Sequence, residues 1–313
     1  MKFRTLGKTG WNVSAVGMGC WGLGGQFGEI SEQQAFDTLN SAFDAGCNFF
    51  DTADQYGVEP GTSEMFIGKW LKERRDKVYL ATKVGNWGRR QNAALEYTHP
   101  MHIINCCHAS LHRLHTDHID VYQCHLGQPE NPDIFLEAFA KLKEQGKIRE
   151  FGISTNHLES LKAFNRKGDC AMAQVGYNMV RRDAEKDALP YCLENNIGVI
   201  LRDPLGKGTL TGKFTKETVF TDQVRAQWNE GERQRDTFLN TLEFVEKVRS
   251  LVKPGRTLVD IALQFTLAHP AVTCPIPGMK SAEQARANCA AADGELSEEE
   301  VNQIKALSDN YRE

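Results

Sequence analysis

The amino-acid sequence predicts an α/β protein: a single (β/α)8 TIM barrel over residues 1–313, with an N-terminal β-hairpin cap and extra C-terminal helices. Short apolar runs alternate with longer segments of helical periodicity, which is typical of a parallel sheet with right-handed crossovers. Several apolar runs end abruptly in polar or ionisable residues, as strands do where a parallel barrel carries its functional loops. A chain of 313 residues is long enough for one such barrel.

The predicted elements follow one another regularly along the chain. Two extended pieces, residues 3–6 and 11–14, flank a turn-rich connector and predict the hairpin. Apolar runs predict eight barrel strands at 15–19, 48–50, 78–81, 119–124, 148–153, 172–176, 198–201 and 272–275. Helical patterns predict helices at 31–45, 63–74, 100–114, 132–145, 158–165, 185–195, 235–251, 258–268 and 297–309. Ser31 and Ser297 are the expected N-caps of the first and last of these helices.

The composition is typical of a globular protein of a reducing compartment. Hydrophobic residues make up 41% of the chain and charged residues 25%, which suits a large core. A net charge of −4 does not indicate binding to nucleic acid or to an anionic membrane. No apolar stretch suits a signal peptide or a bilayer span, so we expect a cytoplasmic protein. The nine cysteines are odd in number and form no CxxC pair, which favours reduced thiols.

A histidine cluster suggests one alternative chemistry, a metal site. His108, His112 and His115 recur at spacings that place them on one face of the third barrel helix. No carboxylate or cysteine at a suitable spacing completes a recognisable site. We therefore expect a solvated helix face and no metal.

Three predicted strands deliver an ionisable residue to their carboxyl ends, namely Asp51, Lys83 and His125, and Tyr56 lies in the loop after Asp51. Because these strand ends share one rim of a barrel, the side chains are expected to meet. A phenol with a pKa near ~10 is protonated at neutral pH and can donate a proton to a developing alkoxide. A neighbouring lysine lowers that pKa, and a carboxylate keeps the lysine charged. An imidazole such as His125 could hydrogen-bond a substrate carbonyl and position it.

These residues lie in motifs that resemble those of the aldo-keto reductases. The motifs are NFFDTADQYG (48–57), ATK (81–83), VYQCH (121–125) and GIS (152–154), and the similarity extends from FRTLG (3–7) to the last helix. Tyr177, Asn178, Arg182 and PLGKGTLTGK (204–213) are more similar to the bacterial and plant reductases and the potassium-channel β subunits than to the aldose reductase branch.

The resemblance implies a reaction and a role for each of the four residues. Tyr56 would be the general acid in the reduction of an aldehyde or ketone, with NADPH as the hydride donor. Asp51 and Lys83 would tune Tyr56, and His125 would orient the carbonyl. The resemblance also implies that the N-terminal hairpin plugs the bottom of the barrel, and it places Asp51 among the cofactor contacts.

Other strand ends are similar to the nicotinamide-binding positions of this family. Cys20 and Trp21, in a glycine-rich turn without the GxGxxG spacing of a Rossmann fold, would lie beside the nicotinamide. Ser154 and Gln174 would hydrogen-bond its carboxamide. The family often has Asn after that serine, whereas Thr155 and then Asn156 follow here, so either of these two could assist.

Arg202 stands where the family commonly has an aromatic residue that stacks on the nicotinamide. A planar guanidinium can stack as well, but it adds a positive charge. Because that charge disfavours the oxidised, cationic ring, we expect Arg202 to favour NADPH over NADP⁺.

Two further segments are predicted to bind the phosphates and the adenosine. The loop 206–213 offers backbone N–H groups and two lysines for a pyrophosphate. The turn before residue 282 leads into a predicted helix start, where Lys280 is well placed for a 2′-phosphate. Lys280 favours NADPH, but Gln284 stands where many members of the family that this chain resembles have an arginine, so NADH is not excluded. The predicted contacts are Asp203, Pro204, Leu205, Gly206, Lys207, Gly208, Lys213, Gly278, Lys280, Gln284 and Asn288.

The polar segment 213–239 is expected to fold over the cofactor and to shape the substrate entrance. Arg225 is a candidate phosphate contact in this segment. Trp228 and Trp87 are candidates to line the substrate pocket. The expected partner is a small-molecule carbonyl compound, and the protein is a possible homo-oligomer.

Two other functions stay open from the sequence. One is an NADP(H)-binding regulatory or redox-sensing subunit with little turnover, although the helical extension of the channel β subunits is not evident here. The other is a Schiff-base enzyme that uses Lys83 as its nucleophile. The complete set of Asp51, Tyr56, Lys83 and His125 favours the reductase.

Overall fold

The structure, a computed structural model, describes residues 1–90 and 96–311 and is organised around a ring of parallel strands. The first two strands, β1 (Phe3–Thr5) and β2 (Asn12–Ser14), instead pair antiparallel as a hairpin. Within the described residues the ring has eight strands that follow one another in chain order. They are β3 (Met18–Gly19), β4 (Phe49–Asp51), β5 (Tyr79–Val84), β6 (Ile119–Cys124), β7 (Ile148–Ser154), β8 (Met172–Gly176), β9 (Gly198–Arg202) and β10 (Val272–Pro275). The predicted (β/α)8 barrel with an N-terminal hairpin is therefore confirmed.

The ring closes where β3 meets β10 and the residues that follow it. The Gly17 N–H donates to the Pro275 carbonyl at 3.0 Å, and the Gly19 N–H donates to the Pro277 carbonyl at 3.1 Å. A Cβ on Gly19 would lie 2.5 Å from the carbonyl oxygen of Ile276. Glycine is therefore needed at this seam, because only a residue without a side chain lets the two backbones approach so closely.

The inside of the barrel is filled by apolar side chains, and the hairpin covers its lower end. Leu6 and Val13, from the hairpin, are fully buried and belong to the same apolar cluster as the inward-facing strand residues. Those strand residues are Phe49, Ala81, Val121, Met172, Ile200 and Cys274. The barrel is thus a packed core, and its open end is the carboxyl rim.

Helices surround the ring and pack on its outer face through a second, larger apolar cluster. They are α1 (Glu32–Asp44), α2 (Thr62–Leu71), α3 (Trp87–Arg90), α4 (Pro100–Leu114), α5 (Pro132–Glu144), α6 (Leu158–Phe164), α7 (Ala188–Glu194), α8 (Arg235–Arg249), α9 (Leu258–Leu267), α10 (Ala282–Ala290) and α11 (Glu298–Asp309). The Ser31 and Ser297 side chains cap α1 and α11 as predicted, each accepting a backbone N–H of the first turn.

One helix begins later than its sequence pattern suggests. The helix predicted over residues 185–195 starts at Ala188, and Glu185 lies in a separate 3₁₀ turn. The Glu185 carboxylate binds the Tyr177 hydroxyl at 2.6 Å and the Arg182 guanidinium at 3.0 Å. These tertiary bonds fix Glu185 outside the helix.

Three findings concern the chain as a whole. In residues 1–90 and 96–311 every helix is too short or too polar to span a lipid bilayer. Across the same ranges no three His, Cys, Asp or Glu side chains converge to hold a metal ion, and His108 and His112 are exposed on α4. The nine cysteines are free thiols.

Candidate active site

The carboxyl rim of the barrel brings together the four predicted ionisable residues. Asp51 ends β4, Lys83 lies in β5, His125 follows β6, and Tyr56 stands in the loop after β4. The Lys83 ammonium lies 2.5 Å from Asp51 Oδ1 and donates to Tyr56 Oη at 3.3 Å. The Tyr56 and His125 rings meet edge to face, with centroids 5.9 Å apart. We call these four residues the tetrad.

Asp51 is held by more than its ion pair with Lys83. Its other oxygen, Oδ2, accepts hydrogen bonds from Gln123 Nε2 at 3.0 Å and from Gln174 Nε2 at 2.8 Å. The Lys83 ammonium also donates to the Thr52 carbonyl at 2.6 Å. Because all of these groups are buried, each bond is strong and the ion pair has little freedom to move.

Electrostatics keep both Tyr56 and Lys83 protonated at neutral pH. Burial raises the pKa of the Tyr56 phenol, and the nearby Lys83 ammonium opposes that rise without cancelling it. Burial by itself would lower the pKa of Lys83, but Asp51 and Tyr56 outweigh it, so the pKa of Lys83 is raised. Lys83 thus lowers the pKa of Tyr56 as expected, but burial outweighs the lysine, so the net shift is upward.

His125 is oriented by two amide side chains. Gln55 Nε2 lies 3.4 Å from His125 Nδ1, and Asn86 Nδ2 donates to the His125 carbonyl at 2.8 Å. The motifs did not indicate Gln55, Asn86 or Gln123 as site residues. The available signal was Gln123, a polar residue near the carboxyl end of a buried strand.

An aromatic wall stands beside the tetrad. The Trp21 ring stacks on the Tyr56 ring with centroids 5.8 Å apart and meets the Phe27 ring edge to face at 4.8 Å. The Trp21 indole N–H is buried and has no hydrogen-bond partner among the described residues. Cys20 is buried next to it, and burial raises the pKa of its thiol. Cys20 and Trp21 thus lie next to the tetrad, and their place beside the nicotinamide stays a prediction.

Thr155 and Asn156, the two candidates after Ser154, are both engaged within the protein. The Thr155 hydroxyl donates to the Gly127 carbonyl at 2.6 Å. Asn156 Nδ2 donates to the Gly176 carbonyl, and Asn156 Oδ1 accepts the Gly176 N–H, each at 2.8 Å. Ser154 is buried at the end of β7, where its hydroxyl could still meet a ligand.

Arg202 is held flat against the end of β8. Its guanidinium donates to Asn156 Oδ1 at 3.1 Å, and a Cβ on Gly176 would lie 2.8 Å from Arg202 Nη1. Glycine at 176 therefore makes room for the guanidinium. Among the described residues Arg202 forms no ion pair within 4.0 Å, and burial lowers its pKa. The charge of the neighbouring Asp203 opposes that lowering without cancelling it, so the half-buried guanidinium is suited to an electron-rich or anionic ligand.

The loop after β9 differs from its prediction in one respect. The N–H groups of Gly206 and Gly208 donate to carbonyls of the same loop, and the Lys207 N–H donates to Asp203 Oδ1 at 2.7 Å. The expectation that these backbone N–H groups are free for a pyrophosphate is therefore wrong, because the tight turn uses them itself. The side chains of Lys207 and Lys213 remain as the cationic groups of this loop.

Three cations converge on the side of the rim near α10. Burial, then Arg225 and Lys280, lowers the pKa of Lys213, and burial and Arg225 lower that of Lys280. The Lys280 ammonium donates to the Phe27 carbonyl at 2.5 Å. Such mutual repulsion is relieved when an anion binds.

The predicted adenosine-end residues lie at the start of α10. Gln284 Oε1 accepts the Lys280 N–H at 2.9 Å, so it shapes the turn that carries Lys280. Asn288 is buried on the same helix. A Cβ on Gly278 would meet no atom within 4 Å, which leaves open space in front of the backbone there.

The segment 213–239 forms a small aromatic core of its own. Phe220, Trp228 and Phe238 are buried in it, and the Trp228 ring stacks on Phe238 with centroids 5.5 Å apart. Trp228 thus supports the segment, a role that the sequence did not indicate. The Arg225 guanidinium lies between Phe27, Phe214 and Phe220 and pairs with Asp222 at 2.8 Å. Trp87, partly exposed, lies under the Arg113 guanidinium.

These features together fit a dinucleotide with several phosphates. The cations Lys213, Arg225 and Lys280 and the open space at Gly278 suit the phosphate end. The Trp21 indole N–H and the Arg202 guanidinium, both without an acidic partner among the described residues, suit the end next to the tetrad.

Comparison with known proteins agrees with this geometry. A sequence model of the Aldo/keto reductase family matches residues 15–309. Aldo-keto reductase YhdN of Bacillus subtilis is 31% identical over 99% of this chain and 94% of its own length. The holo form of aldo-keto reductase AKR11C1 from Bacillus halodurans superposes with a TM-score of 0.79 at 31% identity, covering 98% of this chain and 96% of that one. An aldo/keto reductase from Klebsiella pneumoniae, solved with NADP and acetate, is 28% identical with a TM-score of 0.74 and the same coverage.

Proposed function

Because the chain belongs to the aldo/keto reductase family, we propose that it reduces an aldehyde or ketone to an alcohol with NADPH, with Tyr56 as the general acid. The observation that carries this proposal is the position of the Tyr56 hydroxyl, 3.3 Å from the Lys83 ammonium at the open rim of the barrel. A protonated phenol there can give its proton to a carbonyl oxygen as that oxygen becomes an alkoxide.

Each tetrad residue has a distinct part in the proposed reaction. Lys83 carries a positive charge that stabilises the Tyr56 phenolate left after proton donation. Asp51 holds Lys83 in its charged form. His125, whose ring meets that of Tyr56, hydrogen-bonds the carbonyl oxygen, so that the oxygen is positioned by two groups.

NADPH, when bound, supplies the hydride that reduces the carbonyl carbon. The residues proposed to hold it are those whose surroundings fit a dinucleotide. Trp21, Ser154 and Arg202 would surround the nicotinamide end, and Lys213 and Lys280 the phosphates. The Klebsiella pneumoniae relative, solved with NADP and acetate, supports the choice of cofactor.

The proposal is tested by steady-state NADPH oxidation against a panel of aldehydes and ketones, with the Tyr56→Phe variant. That variant should keep its NADPH affinity, measured by cofactor fluorescence, and lose turnover by about 10²-fold to 10⁴-fold. Tyr79→Phe is the matched control, since Tyr79 begins the strand that carries Lys83 and lies near Trp11 of the hairpin.

Two results would contradict the proposal. Turnover by Tyr56→Phe within a few-fold of the unmodified protein would exclude Tyr56 as the general acid. Tight NADPH binding with no turnover of any carbonyl by the unmodified protein would favour a redox-sensing subunit instead.

A further inference from the structure

Asp54, in the loop that carries Tyr56, is a buried acid whose carboxylate oxygens have no hydrogen-bond partner among the described residues. Its side chain is 1% exposed. An ionised carboxylate in such a place is costly, because it has lost water, and the Gln55 N–H and the charges of Arg113 and Lys83 favour the ion too weakly to offset that loss. The group must be neutral, or the loop must move to let it reach water.

The positively charged side chains near Asp54 are paired with other carboxylates. Glu64 of α2, itself fully buried, accepts the Arg113 guanidinium at 2.7 Å and the Thr82 hydroxyl at 2.6 Å. The Lys83 ammonium is taken by Asp51. Among the described residues, two buried carboxyl groups therefore lie near the Arg113 guanidinium, and Glu64 binds it.

The titratable groups around Asp54 come from several elements. Burial, then the charge of Glu64, raises the pKa of Asp54 to about 8, while Arg113 and Lys83 oppose that rise. The groups coupled to it are Glu64 on α2, Lys83 on β5, Cys106 and Arg113 on α4, Tyr122 on β6, and Tyr97 before α4. Glu64, Cys106, Tyr122 and Tyr97 become anions when they ionise, so none of them can stabilise an ionised Asp54.

The backbone next to Asp54 carries two side chains of the active site. The Asp54 N–H points to the Lys83 carbonyl at 3.4 Å, and the Tyr56 N–H donates to the Ala53 carbonyl at 3.1 Å, which makes a tight turn. Gln55, between them, reaches His125. Any displacement of Asp54 is therefore passed to Tyr56 and to the side chain that orients His125.

We propose that Asp54 is a positioning residue. As a neutral carboxylic acid it holds the loop in the position where Tyr56 contacts Lys83, and its ionisation displaces Tyr56 from Lys83. Asp54 acts through the loop and touches neither substrate nor cofactor. The link to turnover rests on the proposed role of Tyr56, whereas the protonation of Asp54 does not.

If Asp54 is neutral in the folded protein, the stability of the fold should fall as the pH rises. The pKa of Asp54 in the folded protein lies above the value near ~3.9 expected for an unfolded chain. The folded state therefore binds more protons than the unfolded state between these two values. The stability that the raised pKa of Asp54 contributes is complete below about pH 4, is lost as the pH rises toward 8, and changes little above pH 8.

The first experiment compares unfolding of the unmodified protein and Asp54→Asn from pH 5 to pH 9. Asparagine has the shape of the neutral acid but cannot ionise. The ratio of the two unfolding equilibrium constants should change by about tenfold per pH unit in favour of Asp54→Asn, and then level off above pH 8. Parallel stability curves across this range would overturn the proposal.

Asp120→Asn is the matched control, since Asp120 is an equally buried aspartate that does have partners. It binds Arg75 at 2.7 Å, Arg149 at 2.9 Å and the Leu80 N–H at 2.8 Å. The same substitution there should lower stability at every pH tested. A gain at Asp120 like that at Asp54 would show a general effect of removing acids and would also overturn the proposal.

The second experiment measures kcat and KM for carbonyl reduction at pH 6.5 and pH 9. In the unmodified protein kcat should fall about tenfold at pH 9, because about a tenth of Asp54 is still neutral there, with little change in KM. In Asp54→Asn the ratio of kcat at the two pH values should stay above about one half. An equal fall in both proteins would exclude the link to Tyr56.

An infrared measurement makes the test independent of turnover. The unmodified protein at pH 6.5 should show a protonated-carboxyl band that disappears by pH 10 and that Asp54→Asn lacks. Absence of that band at pH 6.5 would overturn the proposal even if the protein proves to be a reductase. Presence of the band in a protein without turnover would instead refute only the proposed function.

Discussion

Gln174 Nε2 lies 2.8 Å from Asp51 Oδ2, so a side chain of β8 fixes an acid at the end of β4. Gln174 also donates to Gln123 Oε1 at 3.2 Å, and Gln123 in turn donates to Asp51. The two amides cross the barrel interior and hold the Asp51 carboxylate in the position where its other oxygen meets Lys83. The tetrad therefore depends on β8, a strand that carries none of its residues.

Replacing Gln174 by leucine should reduce kcat for carbonyl reduction by about tenfold, because Asp51 Oδ2 loses a buried donor worth about 1–3 kcal/mol. Steady-state kinetics and fluorescence titration of NADPH test this. Gln264→Leu is the control: Gln264 is a buried glutamine on α9 that binds the Ala291 carbonyl. A kcat for Gln174→Leu equal to that of the control would show that the amide does not support Asp51.

Replacing Arg202 by tyrosine should shift cofactor preference toward the oxidised form. A guanidinium beside the nicotinamide repels the cationic ring of NADP⁺, whereas a tyrosine ring attracts it by about 1 kcal/mol. The ratio of NADP⁺ to NADPH affinity should therefore rise by about tenfold in direct binding measurements. Arg202→Lys, which keeps the charge, is the control and should shift the ratio less. An unchanged ratio in Arg202→Tyr would place the guanidinium away from the nicotinamide.

Replacing Lys280 by methionine should weaken NADPH binding and leave NADH binding nearly unchanged. A hydrogen bond to a charged group contributes about 1.5–3 kcal/mol, so the affinity for NADPH should fall by at least about tenfold. Arg286→Met is the control, since Arg286 lies on the same helix but reaches toward Ser41 of α1. Equal losses for NADPH and NADH would mean that Lys280 does not contact the 2′-phosphate.

Glu185→Gln should destabilise the protein at neutral pH but not at acid pH. Burial alone would raise the pKa of Glu185, but Arg182, Tyr177 and Lys305 outweigh it and hold that pKa to about 2. Because this pKa lies below the unfolded value, the contribution is present above about pH 4.5 and is lost as pH falls toward 2.

The expected loss of unfolding free energy for Glu185→Gln is about 2 kcal/mol at pH 7, shrinking steadily in denaturant unfolding curves toward pH 3. Glu194→Gln, at the exposed end of α7, is the control and should change little at either pH. A constant difference between pH 7 and pH 3 would show that the ionised carboxylate is not the stabilising form.

The sequence predicted the barrel and the meeting of the tetrad for a general reason. Parallel strands joined by helices must place their carboxyl ends at one rim, so residues at three strand ends converge whatever the details of packing. The amides of Gln123 and Gln174 reach the same site from strand interiors. The sequence could not reveal their bond to Asp51, because that bond depends on which side chains point inward and how far each reaches.

The sign of the Tyr56 pKa shift could not be obtained from residue types either. Lys83 was rightly placed beside the phenol, but the depth of burial, which no local pattern states, outweighs the lysine. For the same reason, the sequence did not indicate that the Asp54 carboxyl group is buried without a hydrogen-bond partner among the described residues. Its neighbours Glu64 and Arg113 come from two separate helices and satisfy each other.

Periodicity, strand-end residues and family motifs thus determined the architecture, the four residues of the proposed catalytic site and the class of cofactor, because these depend on local pattern and chain order. Only the tertiary structure decided which buried polar groups are paired and which are not. Pairing depends on distances of a few ångströms between residues far apart in the chain, and a buried charge is stable or costly according to those distances alone.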